Sequence, residues 1–194
     1  MSAGEIPLFP LNTVLFPGGR LPLRIFEQRY MDMAKACLRE GTPFGVCLIR
    51  EGGEVGEPAL PEDLGCTARI VDWDMPQLGL LQVVARGERR FRIRERRVQA
   101  DGLALAGIEL LPVEADTPLD AQMDLCARVL RKIVDAAPAG LVELPPCYES
   151  STWVSARLAE LLPLSHASKQ RLLEMDDSRD RLEILRRLIS SSGQ

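Results

Sequence analysis

The chain has 194 residues, 46% apolar and 27% charged, enough for one large domain or two small ones with a real core and ordinary for a globular protein. A net charge of -4 and a pI near 5.2 exclude a global pull toward nucleic acid or an anionic membrane. No apolar run approaches the ~20 residues of a membrane helix, and no basic stretch followed by an apolar one opens the sequence, so a cytoplasmic protein is expected.

The first organised stretch runs from Ile6 to Tyr30. Pro7, Pro10, Pro17 and Pro22 cut it into short extended pieces, because proline fixes φ, removes a backbone donor and keeps its predecessor out of the helical region. A strand is expected near Ile6 to Leu8, a turn at Pro17-Gly18-Gly19, and an extended piece that runs into a helix at Phe26. The apolar residues between the prolines, Phe16 and Phe26 among them, need a core built by distant parts of the chain. Arg24 and Glu27, three apart in this apolar setting, suggest a partly buried ion pair.

Phe26, Tyr30, Met33, Ala34, Cys37 and Leu38 then recur at steps of three and four, the stripe of an amphipathic helix, and Gly41 stands where a C-terminal glycine belongs. Phe44 to Ile49 reads as a buried strand, followed by a glycine- and proline-rich loop from Glu51 to Asp63. From Gly65 the period is two: Cys66, Ala68 and Ile70 face one way, Thr67, Arg69 and Val71 the other. A turn is expected around Pro76 to Gly79, with Asp72 and Asp74 near the strand end. Leu81, Val83 and Ala85 make the next alternating run, and Phe91 and Ile93 alternate with Arg90, Arg92 and Arg94. Leu103 to Leu110 closes the series. Many short strands and one inserted helix predict a strongly bent sheet or barrel over residues 1–112.

The regime changes between Pro112 and Pro118. Thr117 is expected to cap a helix that begins at Pro118 and carries Leu119, Met123, Cys126, Leu130, Ile133 and Ala137 on its apolar face, ending at Pro138-Ala139-Gly140. A second helix begins near Thr152 and stops at Pro163. Ser165 is expected to cap a third, and Asp177 or Ser178 a fourth with Leu182, Leu185, Leu188 and Ile189 inward. Residues 113–194 thus form a small helical bundle, with Ser190 to Gln194 as a frayed tail.

The runs PLFPL, VLFPG and LPLRIFEQRY, then PFGVCLI, LGCTARIVDWD and GERRF, and later AELLPLS and KQRLLE, closely resemble the N-terminal, substrate-binding domain of the Lon protease family, in that family's order and over nearly the whole chain. The resemblance implies an α+β chain with a PUA-like β-barrel, one inserted helix and a C-terminal helical bundle. It also implies a stand-alone, non-catalytic domain that binds unfolded or partly folded polypeptide, as a recognition module or an adaptor to a protease or chaperone.

Catalytic readings of the residues are weak. No G-x-x-x-x-G-K-[ST] phosphate loop occurs, and Lys35, Lys132 and Lys169 are the only lysines. Ser165, Ser168 and Lys169 read as a helix cap rather than a Ser-Lys dyad. Cys37, Cys47, Cys66, Cys126 and Cys147 are scattered, with no C-x-x-C pair, which argues against disulfides and zinc, and His166 is the only histidine. Neither a metal site nor a cofactor is expected.

Two binding surfaces are candidates. Arg90, Arg92 and Arg94 would line one strand face and could serve RNA, but Glu88 and Glu95 interrupt the run, no aromatic side chains interleave, and residues 1–112 hold 14 basic against 15 acidic side chains. A solvated face is the preferred reading, and nucleic acid the alternative partner. A polypeptide site needs exposed apolar surface or an open strand edge. Trp73 and Met75 beside the Pro76 turn, and Tyr148 and Trp153 at the start of the second helix, are the candidates, with core packing as the alternative for Trp153.

Overall fold

The computed structural model describes residues 5–138, 140–143 and 145–192. Its backbone divides into two compact units, Met1–Pro112 and Val113–Gln194.

In the first unit β1 (Glu5–Leu11), β2 (Arg20–Ile25), α1 (Gln28–Glu40), β3 (Phe44–Glu51), β4 (Leu60–Pro61), β5 (Leu64–Gln77), β6 (Leu80–Val98) and β7 (Ala104–Leu110) follow in order. Five strands close a ring: β1 pairs with β7, β7 with β6, β6 with β5, β5 with β3, and β3 returns to β1 in parallel register, Leu8 opposite Gly45. The prolines of β1 are tolerated because the work of pairing is divided. Glu5 to Pro7 face β7 and Leu8 to Leu11 face β3, so no residue has to bond on both sides.

Neighbouring residues of these strands enter different apolar clusters, as period two requires. Phe9 and Val46 pack with Tyr30, Met33, Ala34 and Cys37 of α1, while Leu8 and Cys47 pack with Phe91, Ala106 and Ile108. The strands are therefore buried on both faces, which is why Phe44 to Leu48 is a continuous apolar run rather than an alternating one. Gly41 ends α1 in the left-handed conformation at φ 65°, as expected.

β6 is 19 residues long and bends near Gly87. There the turn of Pro17 to Gly19 docks on it, Gly18 N–H donating to Gly87 O at 2.8 Å and Gly87 N–H to Gly19 O at 2.9 Å. A Cβ at Gly87 would lie 2.3 Å from the Phe16 carbonyl oxygen, so only glycine permits the approach. Before the bend, β6 carries β2 on one side and the second half of β5 on the other.

Several side chains depart from expectation. Phe16 is buried, but Phe26, between β2 and α1, is 59% exposed and takes no part in the core. Arg24 is exposed and does not pair with Glu27; Glu27 instead meets Arg29 at 2.9 Å. Arg29, itself buried, also donates to the carbonyls of Gly56 (2.7 Å) and Gly102 (3.1 Å), tying two loops to α1.

The second unit contains a 3-10 turn (Ala121–Met123), α2 (Asp124–Ala136), α3 (Ser151–Leu161), α4 (His166–Glu174) and α5 (Ser178–Ser192). Thr117 is not a cap and Pro118 is not helical. Asp120 caps the 3-10 turn, accepting from Gln122 and Met123 N–H at 3.0 and 3.1 Å, and Thr117 pairs with Ser151 across the chain. Met123, Cys126 and Leu130 are buried as their spacing predicts. Part of the expected stop at Pro138-Ala139-Gly140 lies outside the described residues, but α2 has already ended at Ala136. Ser150 caps α3, Ser165 caps α4, and the Asp177 carboxylate accepts from Arg179 N–H at 2.7 Å as α5 begins. Leu182 and Leu185 are buried, whereas Leu188 is exposed. The polar end expected to fray is helical through Ser192; Gly193 and Gln194 lie outside the described residues.

Arg181 joins these helices. Only 1% exposed, it donates to both Glu114 carboxylate oxygens (2.9 and 2.7 Å), to Ser155 Oγ (3.0 Å) and to the carbonyls of Leu172 (2.8 Å) and Met175 (2.7 Å). That satisfies every donor of the guanidinium, the condition under which a buried charge is tolerated.

Candidate functional site

The β5–β6 hairpin presents the richest exposed apolar surface of the first unit. It extends further than the sequence suggests: β5 continues through Asp72, Trp73, Asp74, Met75 and Pro76, and the turn comes only at Leu78-Gly79, with Gln77 opposite Leu80 and Gly79 at φ 85°. Asp72 and Asp74 therefore lie inside a strand, not at its end. Trp73 is 57% exposed, Met75 37% and Leu78 at the tip 98%, with Val71 exposed as well.

Registers across the three strands fix what stands beside what. Trp73 is opposite Val83, which is opposite Leu23; Asp72 is opposite Val84 and then Pro22; Asp74 is opposite Gln82 and then Arg24. Alternation puts Asp72, Asp74, Gln82 and Arg24 on one face and Trp73 and buried Val83 on the other, and residues of both sets, Trp73 and Val83 included, line an open groove of about 600 Å³. An indole anchored at one edge and open at the other is suited to contact apolar side chains of a ligand.

Tyr148 and Trp153 belong to the second unit. Their rings meet edge to face at 5.3 Å, and the Arg131 guanidinium stands 4.6 Å over Tyr148. Both side chains are half-buried. Beside them lies an open groove of about 530 Å³ lined by Asp116, Arg131 and Cys147, among others. Asp116 accepts from the Ser150 and Thr152 hydroxyls, both at 2.9 Å, and from Thr152 N–H at 3.1 Å. Burial pushes its carboxyl up, but these hydrogen bonds outweigh that effect and hold it below its ordinary value. Neither this knot nor the Arg181 hub was visible in the sequence, because both join short polar segments far apart in the chain.

The arginine stripe is not continuous. Arg90 is buried at 4% exposure, next to equally buried Phe91, whereas Arg92 and Arg94 are exposed. Arg90 and Arg92 keep regular alternation, opposite Cys66 and Leu64, but β6 is covered on both faces at Arg90 and Phe91 and opens to solvent on one face from Arg92 on. Nearby, Arg94 pairs with Glu109, Arg97 with Glu5 (2.6 Å) and Arg69 with Glu88 (2.7 Å).

No group of three or more potential metal ligands occurs among the described residues. Cys37, Cys47, Cys66 and Cys126 are buried free thiols, and burial pushes Cys126 up to about 11. Cys147 is free and exposed. Ser165 Oγ accepts from Ser168 N–H at 3.2 Å as a cap, while Lys169 Nζ donates to the Glu160 carbonyl at 2.5 Å. Burial lowers the Lys169 pKa, but its proton is held by a carbonyl. No described helix is long and apolar enough to cross a membrane.

A barrel with one helix inserted between its early strands, followed in sequence by a helical unit, is the architecture of Lon-type N-terminal domains. It is similar to a Lon N-terminal domain protein from Xanthomonas campestris, at 38% identity and a TM-score of 0.78, covering 94% of this chain and 96% of that one. It also shares the fold of the N-terminal domain of Lon protease from the Mycobacterium avium complex (TM-score 0.62, 16% identity). The chain belongs to the family of ATP-dependent protease La (LON) substrate-binding domains, whose family model matches residues 5–191.

Among curated proteins, Lon protease of Cytophaga hutchinsonii is 26% identical over 97% of this chain, and protein cereblon of Xenopus tropicalis 29% identical over 57%. The chain spans about a quarter of the length of these relatives, 24% and 25% respectively.

Proposed function

We propose that this chain is a non-catalytic, cytoplasmic recognition module for unfolded or partly folded polypeptide, serving as an adaptor to a protease or chaperone, with Trp73 and Met75 at its contact surface. The carrying observation is the β5–β6 hairpin, where an indole and a thioether stand in solvent at a strand edge instead of in the core. Such side chains gain by burial against apolar segments that only an unfolded client exposes. Tyr148 and Trp153 are a second, smaller candidate patch. Burial raises the pKa of the Cys37, Cys47 and Cys126 thiols and the Ser165 hydroxyl is engaged as a cap, which supports the non-catalytic reading.

The test replaces Trp73→Ser and Met75→Ser together. The double variant is expected to keep its melting temperature and to lose most of its capture of an unfolded model protein, while hydrolysing neither ATP nor casein. Undiminished capture would place the site elsewhere.

A further inference from the structure

β5 is paired on both sides only in its first half. Up to Ala68 it lies between β3 and β6; beyond that, among the described residues, its pairing is with β6 alone. In an antiparallel pair every second residue points its N–H and C=O away from the partner, so the edge beyond Ile70, regular from Asp72 to Asp74 and irregular on either side with Pro76 lacking an N–H, offers main-chain donors and acceptors to solvent. All residues from Val71 to Gln77 are exposed.

We propose that this edge takes up an extended polypeptide segment as an added strand, and that Asp72 and Asp74 select segments in which Lys or Arg alternates with apolar residues. This rests on the recognition reading above and specifies its ligand. A strand added ~4.8 Å from β5 sets its own alternate side chains against the two faces of β5. On one face they meet Asp72 and Asp74, on the other Trp73. The charges near the acidic pair are Arg24, separated from Asp74 by Gln82, and Arg69, which is already paired with Glu88. The carboxylates are thus left to face an incoming cation.

The same geometry disfavours a second copy of this chain as occupant. Two β5 edges pairing antiparallel about Trp73 would bring Asp72 of one against Asp74 of the other, and like charges directly opposite are destabilising. An acidic or strictly apolar segment lacks the complementary charge.

Fluorescence anisotropy with a short capped peptide alternating Lys with Val tests the inference against two twins, one with Glu for Lys and one N-methylated at alternate backbone amides. The lysine peptide is expected to bind about fivefold more tightly than its glutamate twin at low salt, as two exposed charge pairs would give. N-methylation should abolish binding, and Asp72→Asn with Asp74→Asn should erase the charge preference without lowering the melting temperature. Equal binding of the glutamate twin, full binding of the N-methylated one, or a self-associated dimer that excludes peptide would overturn it. The two readings fail separately. If the serine double variant loses capture of unfolded protein while the peptides show no charge preference, strand addition falls and recognition at Trp73 and Met75 stands. If that variant captures at full strength, the recognition reading itself falls.

Discussion

Phe16 and Phe26 flank β2 and have opposite environments, although both sit among prolines and aliphatic residues. Replacing buried Phe16 with alanine is expected to cost on the order of 3 to 5 kcal/mol through lost burial and the cavity left behind. Phe26→Ala removes a ring already in solvent and should change stability by less than about 1 kcal/mol. Urea melts of the two variants check this, and comparable losses would contradict the burial described. The sequence says that both rings are apolar but not which one the chain turns inward, because that depends on where β2 ends and α1 begins. Arg90 and Arg181 were equally illegible. Each is buried by distant parts of the chain with no local signature, the stretch of β6 covered on both faces opposite Cys66 for one and acceptors in three separate segments, at Glu114, Ser155 and Leu172 to Met175, for the other.

Elements with local signals are legible in the sequence. The stripe of α1, its terminal Gly41 and the Ser165 cap needed only neighbouring residues to define them. Trp73 and Met75 are exposed, as their place beside Pro76 suggests, but they stand inside a strand rather than at a turn. Pro76 reads as the start of a turn, yet a strand with a free edge accommodates proline, so β5 runs on to Gln77. At the start of α3, the Asp116 carboxylate collects the Ser150 and Thr152 hydroxyls and the Thr152 N–H. Its pKa is lowered in the folded state, so its contribution is fully present above the ordinary value of 3.8 and is lost as acid carries the pH through the lower folded value. Wild type is therefore expected to melt above Asp116→Asn at neutral pH, with the gap closing in acid. The comparison isolates Asp116 from Glu183, which Arg186 and Arg187 hold down at about 2 and which both proteins retain. A gap that widened in acid would contradict the sign.

Taken together, the charges favour polypeptide over nucleic acid. The chain is acidic overall, Arg94 and Arg97 are engaged by glutamates, and Arg90 is withdrawn from the surface. RNA is expected to bind more weakly than about 1 µM at physiological salt, with an affinity that falls steeply as salt rises and vanishes in Arg92→Ser with Arg94→Ser. Filter binding across a salt series measures this, and a tight, salt-resistant complex would reverse the ranking of partners.

The closed ring has a further consequence, in time rather than in space. β1 is made before the strands it pairs with, and its residues Glu5 to Pro7 find their partner only in β7. Until Ala104–Leu110 has been made, both β1 and the far end of β6 carry unpaired edges, and the barrel cannot close. Pairings this distant in sequence are slow to form, and nascent chains that wait for them are prone to join one another. During its own synthesis the chain thus carries the same kind of unpaired strand edge that β5 leaves open beyond Ala68 once folded.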